Sequence, residues 1–274
     1  MPRRTLPCLP GCSTARRQLI DHGGSTVPKE FLHKFSSIRN SKFRLVCFPH
    51  SGGFAGGFRE WAALTPPGTE LMAVRYPGRA DRFAEPVVGI RETASLVATE
   101  LLGLPASPLI LYGHSLGALV AYETAVALRD AGSPPTRLCV SGSPGPEDAG
   151  GGTTHRLTDA ELWSAVKAFG TIDPELADDE EFRDLVLPAL RADVTANETY
   201  APRAGTAPLP CPVRCYYSPD DPLAGEAQVR SWSACTTGEF TLRARPGGHF
   251  HPRIDPRGLV EDVVGADRRE RHRV

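Results

Sequence analysis

Apolar residues fall along this chain in short runs, separated by longer stretches with helical spacing. The first run is Phe43-Arg44-Leu45-Val46-Cys47-Phe48, which stops at Pro49 and a glycine-rich turn. Similar runs recur at Glu70–Arg75, Pro108–Tyr112, Arg137–Val140, Val213–Tyr217 and Phe240–Ala244. They are rich in Val, Leu, Ile, Tyr and Cys and bounded by Gly or Pro, the pattern of buried strands. Between them, Ile90–Leu102 places Ile90, Ala94, Val97, Ala98 and Leu101 on one helical face. Leu116–Ala131 does the same with Leu119, Val120, Ala127 and Leu128, and ends near Gly132. Strand and helix alternate, which predicts a layered α/β fold with a mainly parallel sheet.

One stretch breaks the alternation. From Leu157 to Tyr200 there is no strand pattern, only helical spacing at Thr158–Phe169 and again from Asp179 through Leu190 to Tyr200. Thr158-Asp159-Ala160-Glu161 reads as a capping box with Thr158 as N-cap. Pro188 is expected to bend or divide the second helical stretch. A helical insertion between two sheet strands, about residues 150–203, is a candidate lid. Residues 1–40 read as a flexible extension, with order beginning near Phe43. Arg3, Arg4, Arg16, Arg17 and three early prolines interrupt them, and they lack the apolar stretch of a secretory signal. The folded domain is then 41–266, followed by a charged tail at 267–274.

Composition narrows the function classes. Of 274 residues, 41% are hydrophobic and 23% charged, and 31 Lys plus Arg against 32 Asp plus Glu leave a net charge of −1. That balance suits a soluble globular protein and lacks the basic footprint of a nucleic-acid binder. No apolar run approaches the roughly 20 residues that a membrane span needs. The 7 cysteines are odd in number. They include no C-x-x-C pair, and Cys47 and Cys139 fall inside predicted core strands, so neither a disulfide framework nor a zinc site is expected. A cytoplasmic setting follows as the simplest expectation.

The chemistry gathers around Leu109-Ile110-Leu111-Tyr112-Gly113-His114-Ser115-Leu116-Gly117-Ala118. A buried strand runs directly into G-x-S-x-G and then into an alanine-rich helix. Such a turn needs glycines beside the serine, and the helix N-terminus brings a positive dipole end to a developing oxyanion. Ser115 is therefore the candidate nucleophile. Its base is sought among the 8 histidines. His249 and His251 follow the last predicted strand, where the α/β-hydrolase order of Ser, acid, His places the base. His249, behind Gly247-Gly248, is preferred, and a metal site built on His249 and His251 lacks an evident third ligand. The acid belongs after an earlier strand, and Ser218-Pro219-Asp220-Asp221-Pro222 supplies two candidates. Asp221 is preferred, Asp220 is the alternative, and Glu147 or Asp148 come behind them. The oxyanion hole needs two backbone N–H donors. Leu116 would supply one and Ser51, in His50-Ser51-Gly52-Gly53, the other.

These residues resemble the discrete type II thioesterases that accompany polyketide synthases and nonribosomal peptide synthetases. The likeness runs from about Phe43 to Asp262. It rests on Phe48 to Gly53 (oxyanion loop), Tyr76-Pro77-Gly78-Arg79 with Arg82, and Gly113 to Tyr122 (elbow and helix). Leu187 to Asp193 and Glu198-Thr199-Tyr200 are similar to the family's helical lid, and Asp221-Pro222, Trp232 and Gly248-His249-Phe250 to its acid and base region. Three departures from the family pattern stand out: Val140 to Pro146, His251-Pro252 after the base, and the N-terminal extension, which has no counterpart. The resemblance implies hydrolysis of an acyl thioester carried on the phosphopantetheine arm of an acyl or peptidyl carrier protein, a transient partner. It implies no cofactor, metal, nucleic acid or membrane, and a monomer is expected. Arg75, Arg79 and Arg82 suggest a basic patch for an acidic carrier protein. Alternatives on the same scaffold are a carboxylesterase and a non-catalytic carrier-protein binder.

Overall fold

A computed structural model of the chain describes residues 30–35, 38, 41–170, 172 and 175–265. The strands are β1 (Leu32–Lys34), β2 (Phe43–Phe48), β3 (Thr69–Val74), β4 (Leu109–His114), β5 (Arg137–Ser141), β6 (Val213–Tyr217) and β7 (Phe240–Ala244). They form one seven-stranded sheet in the order β1-β3-β2-β4-β5-β6-β7. β1 runs antiparallel to β3, and every other neighbouring pair is parallel.

Alternation along each strand divides the core in two. Val46, Phe48, Met72, Val74 and Leu111 face one side, against α2 (Ile90–Leu102) and α3 (Leu116–Asp130). Leu45, Cys47, Leu71, Ala73, Ile110 and Tyr112 face the other, with Trp61 of α1 (Arg59–Leu64) and with Leu259, Val260 and Val263 of α7 (Pro256–Val264). Both faces are covered, which is why the central strands read as unbroken apolar runs. A short helix, α6 (Glu226–Arg230), leads to Trp232. That indole is fully buried, packs edge-on to Tyr122 and donates to the Ser143 carbonyl at 2.9 Å.

The insertion forms two helices, α4 (Asp159–Ala168) and α5 (Glu180–Glu198). The Thr158 capping box is present, its hydroxyl accepting from the Glu161 N–H. The helices share a small core of Leu162, Trp163, Val166, Leu187 and Leu190. Pro188 does not divide α5. Pro188 and Asp184, one turn earlier, are both exposed, so the carbonyl that the proline deprives of a partner can be hydrated. The foot of α5 is fastened by the Glu198 carboxylate, which accepts from the N–H groups of Thr154 (3.0 Å) and His155 (2.8 Å). Just beyond it, the Tyr200 hydroxyl donates to the buried Glu123 at 2.8 Å.

One boundary is corrected. Residues 32–34, assigned from sequence to the flexible extension, are the sheet's edge strand β1. Leu32 is buried, and the Glu100 carboxylate accepts from the N–H groups of Phe31 (2.6 Å) and Leu32 (3.3 Å). Three residues are too few to display a period, so the strand leaves no trace in the pattern. Residues 1–29 of that extension, and the tail at 267–274, lie outside the described residues.

The layers close on bare backbone where β4 meets α3. A Cβ on Gly113 would lie 2.1 Å from the Gly117 carbonyl oxygen, whereas one on Gly57 would meet nothing within 4 Å. Gly113→Ala is expected to lower the melting temperature by about 10 °C or more, or to prevent soluble folding, since a backbone clash cannot relax as a side chain can. Gly57→Ala should shift it by about 2 °C at most, as a substitution without such a clash. Thermal denaturation of the two variants side by side checks this.

Candidate active site

The sheet changes direction at β2, where the chain winds first outward to β3 and then back past β2 to β4. Loops leaving neighbouring strands part at such a point, and the crevice lies beyond their C-terminal ends. The loop after β2 carries Ser51 and the turn after β4 carries Ser115. Ser115 has φ 55° and ψ −125°, is half-buried and stands as N-cap of α3. A side chain at positive φ is strained and persists only where its surroundings hold it. Here the Ser115 N–H donates to the Ser141 carbonyl at 2.8 Å. Gly117 presses α3 against the end of β2, for a Cβ there would lie 2.1 Å from the Phe48 carbonyl oxygen. This contact brings Leu116, at the start of α3, close to the Ser51 loop. Leu116 is buried and Ser51 half-buried.

The loops after β6 and β7 bring Asp221 to His249. His249 Nδ1 lies 2.9 Å from Asp221 Oδ2, with side-chain exposures of 7% and 0%. The second carboxylate oxygen accepts from the Leu223 N–H at 2.8 Å. A Nδ1–H donated to the carboxylate leaves Nε2 of the ring as a proton acceptor. The Ser218 hydroxyl joins the two loops by accepting from the Gly248 N–H at 3.0 Å. Asp220 is exposed, as are Glu147 and Asp148. His251 turns elsewhere, its Nε2 standing 3.1 Å from the Ser141 hydroxyl. Thus the end of β5 and the residues after the candidate base meet each other in space.

Four imidazoles crowd this region. The His114 ring centre is 5.0 Å from His249, 5.8 Å from His50 and 6.0 Å from His251. His114 Nδ1 faces the Ser141 carbonyl and hydroxyl, each at 3.1 Å. Burial, and then the repulsion of neighbouring cations, pushes His50 down to about 3. His251 is pushed down to about 4 by burial foremost, and His114 well below its ordinary value for the same first reason. These three rings are therefore neutral at neutral pH, leaving an uncharged wall beside His249.

A cavity of about 780 Å³ opens between the strand ends and the insertion. Leu176, Phe182, Val186 and Leu190 of the insertion line it from above, and Phe58, Trp61 and Tyr112 from below. His50, His114 and Phe250, next to Ser115 or His249 in the chain or in ring contact with His114, line it, while Ser115 and His249 are not among the lining residues. The helical insertion therefore covers a chamber, as a lid does. Among the described residues no group of three or more His, Cys, Asp or Glu is placed to hold a metal ion. Cys47, Cys139, Cys211, Cys215 and Cys235 are free and buried. No helix among the described residues is long and apolar enough to cross a membrane.

The basic patch expected from Arg75, Arg79 and Arg82 is not formed. Arg79 (side chain 10% exposed) forks onto Asp193 of α5, and Arg82 (4%) pairs with Glu85 and donates to the Arg75 carbonyl. Arg75 lies 3.4 Å from Asp81. Inward-facing, neutralised arginines offer little field to a partner. What sequence reasoning missed is their internal work. The Y-P-G-R stretch and Asp193 both stand within recognisable motifs, but nothing in their local pattern shows that they meet.

A family model described as "Thioesterase domain" matches residues 43–264. The chain belongs to that family. It is 40% identical over 224 residues to "Thioesterase PikA5" of Streptomyces venezuelae, covering 81% of this chain and 79% of that one. It is 30% identical over 213 residues to "Gramicidin S biosynthesis protein GrsT" of Aneurinibacillus migulanus, covering 77% and 83%. The solved structure of the type II thioesterase BorB from the borrelidin biosynthetic cluster superposes with a TM-score of 0.80 at 34% identity, covering 87% of this thioesterase and 98% of that chain. The α/β-hydrolase-type sheet flanked by helices is thus the fold of this thioesterase and of its structural neighbours.

The buried imidazoles also predict acid sensitivity. His50 and His251 hold a proton more weakly folded than unfolded, where the ordinary value is 6.5. Between about pH 6.5 and 4 the unfolded chain therefore binds more protons, and stability falls as pH is lowered through that window. Urea denaturation of the thioesterase at pH 7, 6, 5 and 4 should show this loss. His251→Gln, which removes one contributor, should flatten the slope.

Proposed function

We propose that this thioesterase hydrolyses acyl or aminoacyl groups from the phosphopantetheine arm of acyl or peptidyl carrier proteins, with Ser115, His249 and Asp221 as its triad. The observation that carries the reading is the Asp221–His249 contact. A buried carboxylate fixes the Nδ1–H, and with it the acceptor role of Nε2, on a ring that adjoins His114, the residue before the serine on its strained elbow. Ser115 gives its proton to His249 Nε2 as Oγ bonds to the thioester carbonyl carbon. The N–H groups of Ser51 and Leu116 receive the oxyanion. The C–S bond then breaks, and the pantetheine sulfur leaves as the thiol with the proton from His249. Water next gives a proton to His249 and its oxygen to the acyl carbon. Cleavage of the ester bond to Ser115, with the proton on His249 passing to Oγ, releases the carboxylic acid and restores the serine.

The relatives' association with polyketide and nonribosomal peptide pathways supports a carrier-bound substrate. Kinship with type II thioesterases supports an editing role, in which stalled or wrongly primed chains are cleared. The carrier protein would dock transiently on a monomer, in a cytoplasmic setting. An apolar chamber under the lid suits the acyl chain, while no charged cofactor site is called for.

The test loads several acyl groups onto phosphopantetheinyl carrier proteins and follows the intact mass, with an aryl ester alongside. Wild type should strip the acyl mass, and Ser115→Ala should not. Asp221→Asn should lower kcat by about 10³ to 10⁴, as loss of the orienting carboxylate does in other triads. Inert carrier thioesters beside a fast aryl ester would favour the carboxylesterase reading instead.

A further inference from the structure

The loop that carries Ser51 is held by polar tethers from two distant parts of the chain. Tyr76 donates its hydroxyl proton to the Pro49 carbonyl at 3.1 Å. Arg79 Nη1 donates to the Gly53 carbonyl at 3.3 Å. Asp193, on the lid helix α5, accepts from the Gly52 N–H through Oδ2 at 2.8 Å. Arg79 and Asp193 are themselves joined as a fork, Nη1 to Oδ2 at 2.5 Å and Nη2 to Oδ1 at 2.6 Å. The two side chains are 10% and 6% exposed. Tyr76 lies under the same guanidinium, 5.2 Å from its ring centre.

Each element of this arrangement bears on the candidate oxyanion hole. Gly52 follows Ser51 directly and has φ +74°. A charge-assisted bond to its N–H fixes the peptide plane between Ser51 and Gly52, and with it the direction of the Ser51 backbone. Leu190, one turn before Asp193 on α5, packs on the same glycine, for a Cβ there would lie 3.1 Å from Leu190 Cδ1. A cleft of about 20 Å³ beside the pair is lined by Tyr76, Arg79, Asp193 and Leu116, so the pair also adjoins the first residue of α3. A buried ion pair is weak as a stabilising device, because desolvation offsets most of its attraction. Its position makes better sense as a geometric one.

We infer that Asp193 is a positioning residue for the oxyanion hole: with Arg79 it clamps the Gly52 N–H and the Gly53 carbonyl, so that the lid helix itself sets the aim of the Ser51 N–H. The inference rests on the proposed roles of Ser51 and Ser115. The clamp acts on the transition state and not on substrate capture, because the bound carbonyl needs the donors only as its oxygen becomes negative.

The experiment compares wild type, Asp193→Asn and the double variant Arg79→Met/Asp193→Leu on an aryl ester and on an acyl carrier thioester. The double variant leaves no lone buried charge, and such replacements commonly fold. It should melt within a few degrees of wild type, with kcat lowered about 100-fold or more, the usual cost of a lost oxyanion donor, and KM changed less than about threefold. Asp193→Asn keeps one oxygen for the Gly52 N–H but loses the charge and the fork to Arg79, and should recover only part of that loss, leaving kcat about tenfold below wild type. The affinity of an alkyl boronic acid, which forms a tetrahedral adduct on Ser115, should fall in the same order as kcat. A folded double variant with aryl-ester kcat within about threefold of wild type overturns the clamp. If the double variant does not fold, Asp193→Asn decides: kcat and boronate affinity reduced together by about tenfold at constant KM support the clamp, and normal values of both overturn it. Inert carrier thioesters with an active aryl ester in wild type would overturn the carrier reading alone, leaving the clamp to be judged on the ester.

Discussion

The turn from β4 into α3 can form only because two of its residues lack side chains, and the site depends on that closeness. Gly113 allows the strand end to touch the first turn of the helix, and Gly117 allows that turn to rest on the carbonyl oxygens of Phe48 and Pro49. One contact therefore joins three parts: the strained serine, the helix N-terminus and the loop after β2. The strain at Ser115 must be held from outside. α3 is buried along nearly its whole length, and the Ser141 carbonyl takes the Ser115 N–H. Alanines at 118, 121 and 125 are fully buried there, their small side chains letting neighbouring elements approach closely. The sheet's change of winding direction at β2 then opens the crevice where these parts meet.

Around this turn the charges are few and paired. His50, His114 and His251 are neutral, and the Arg79–Asp193 pair cancels itself. Asp221 meets His249 with one oxygen and a backbone N–H with the other. In so buried a setting a backbone N–H acts on a nearby charge with less screening than in water. The same burial explains why acid weakens the fold. An environment that keeps imidazoles uncharged favours the unfolded chain whenever protons are abundant.

Most of this architecture is legible in the sequence because it is local. Strands covered on both faces leave apolar runs, the elbow leaves its glycines, and the Thr158 cap leaves its glutamate three residues on. What escapes is set by distance or by brevity. β1 is three residues whose place comes from Leu32 and Glu100. Asp220 and Asp221 are adjacent and chemically alike, so only the turn that buries one and exposes the other tells them apart. Three arginines near Y-P-G-R read as a surface patch, since the partner that draws Arg79 inward lies on a helix more than a hundred residues away. Pro188 reads as a break, and only its exposure on α5 shows why the helix continues.

The lid is held by two kinds of force, and they divide it. Its later half is tied to the scaffold by buried polar groups: Asp193 to Arg79 and Gly52, Glu198 to the Thr154 and His155 amides, Tyr200 to Glu123. Its earlier half is held by apolar packing of Leu162, Trp163 and Val166 on Leu187 and Leu190, and by an exposed pair such as Lys167 with Asp178. Polar tethers are directional and fail when a partner shifts by about an ångström, whereas apolar contacts tolerate repacking at similar volume. The chamber wall formed by Leu176, Phe182 and Val186 lies in the tolerant part, and the contacts to Gly52 lie in the directional part. Chamber shape can therefore vary through the first half of the lid while the second half keeps the loop beside Ser115 in place. In this fold the cover over the chamber and the tether to the Ser51 loop belong to one helix.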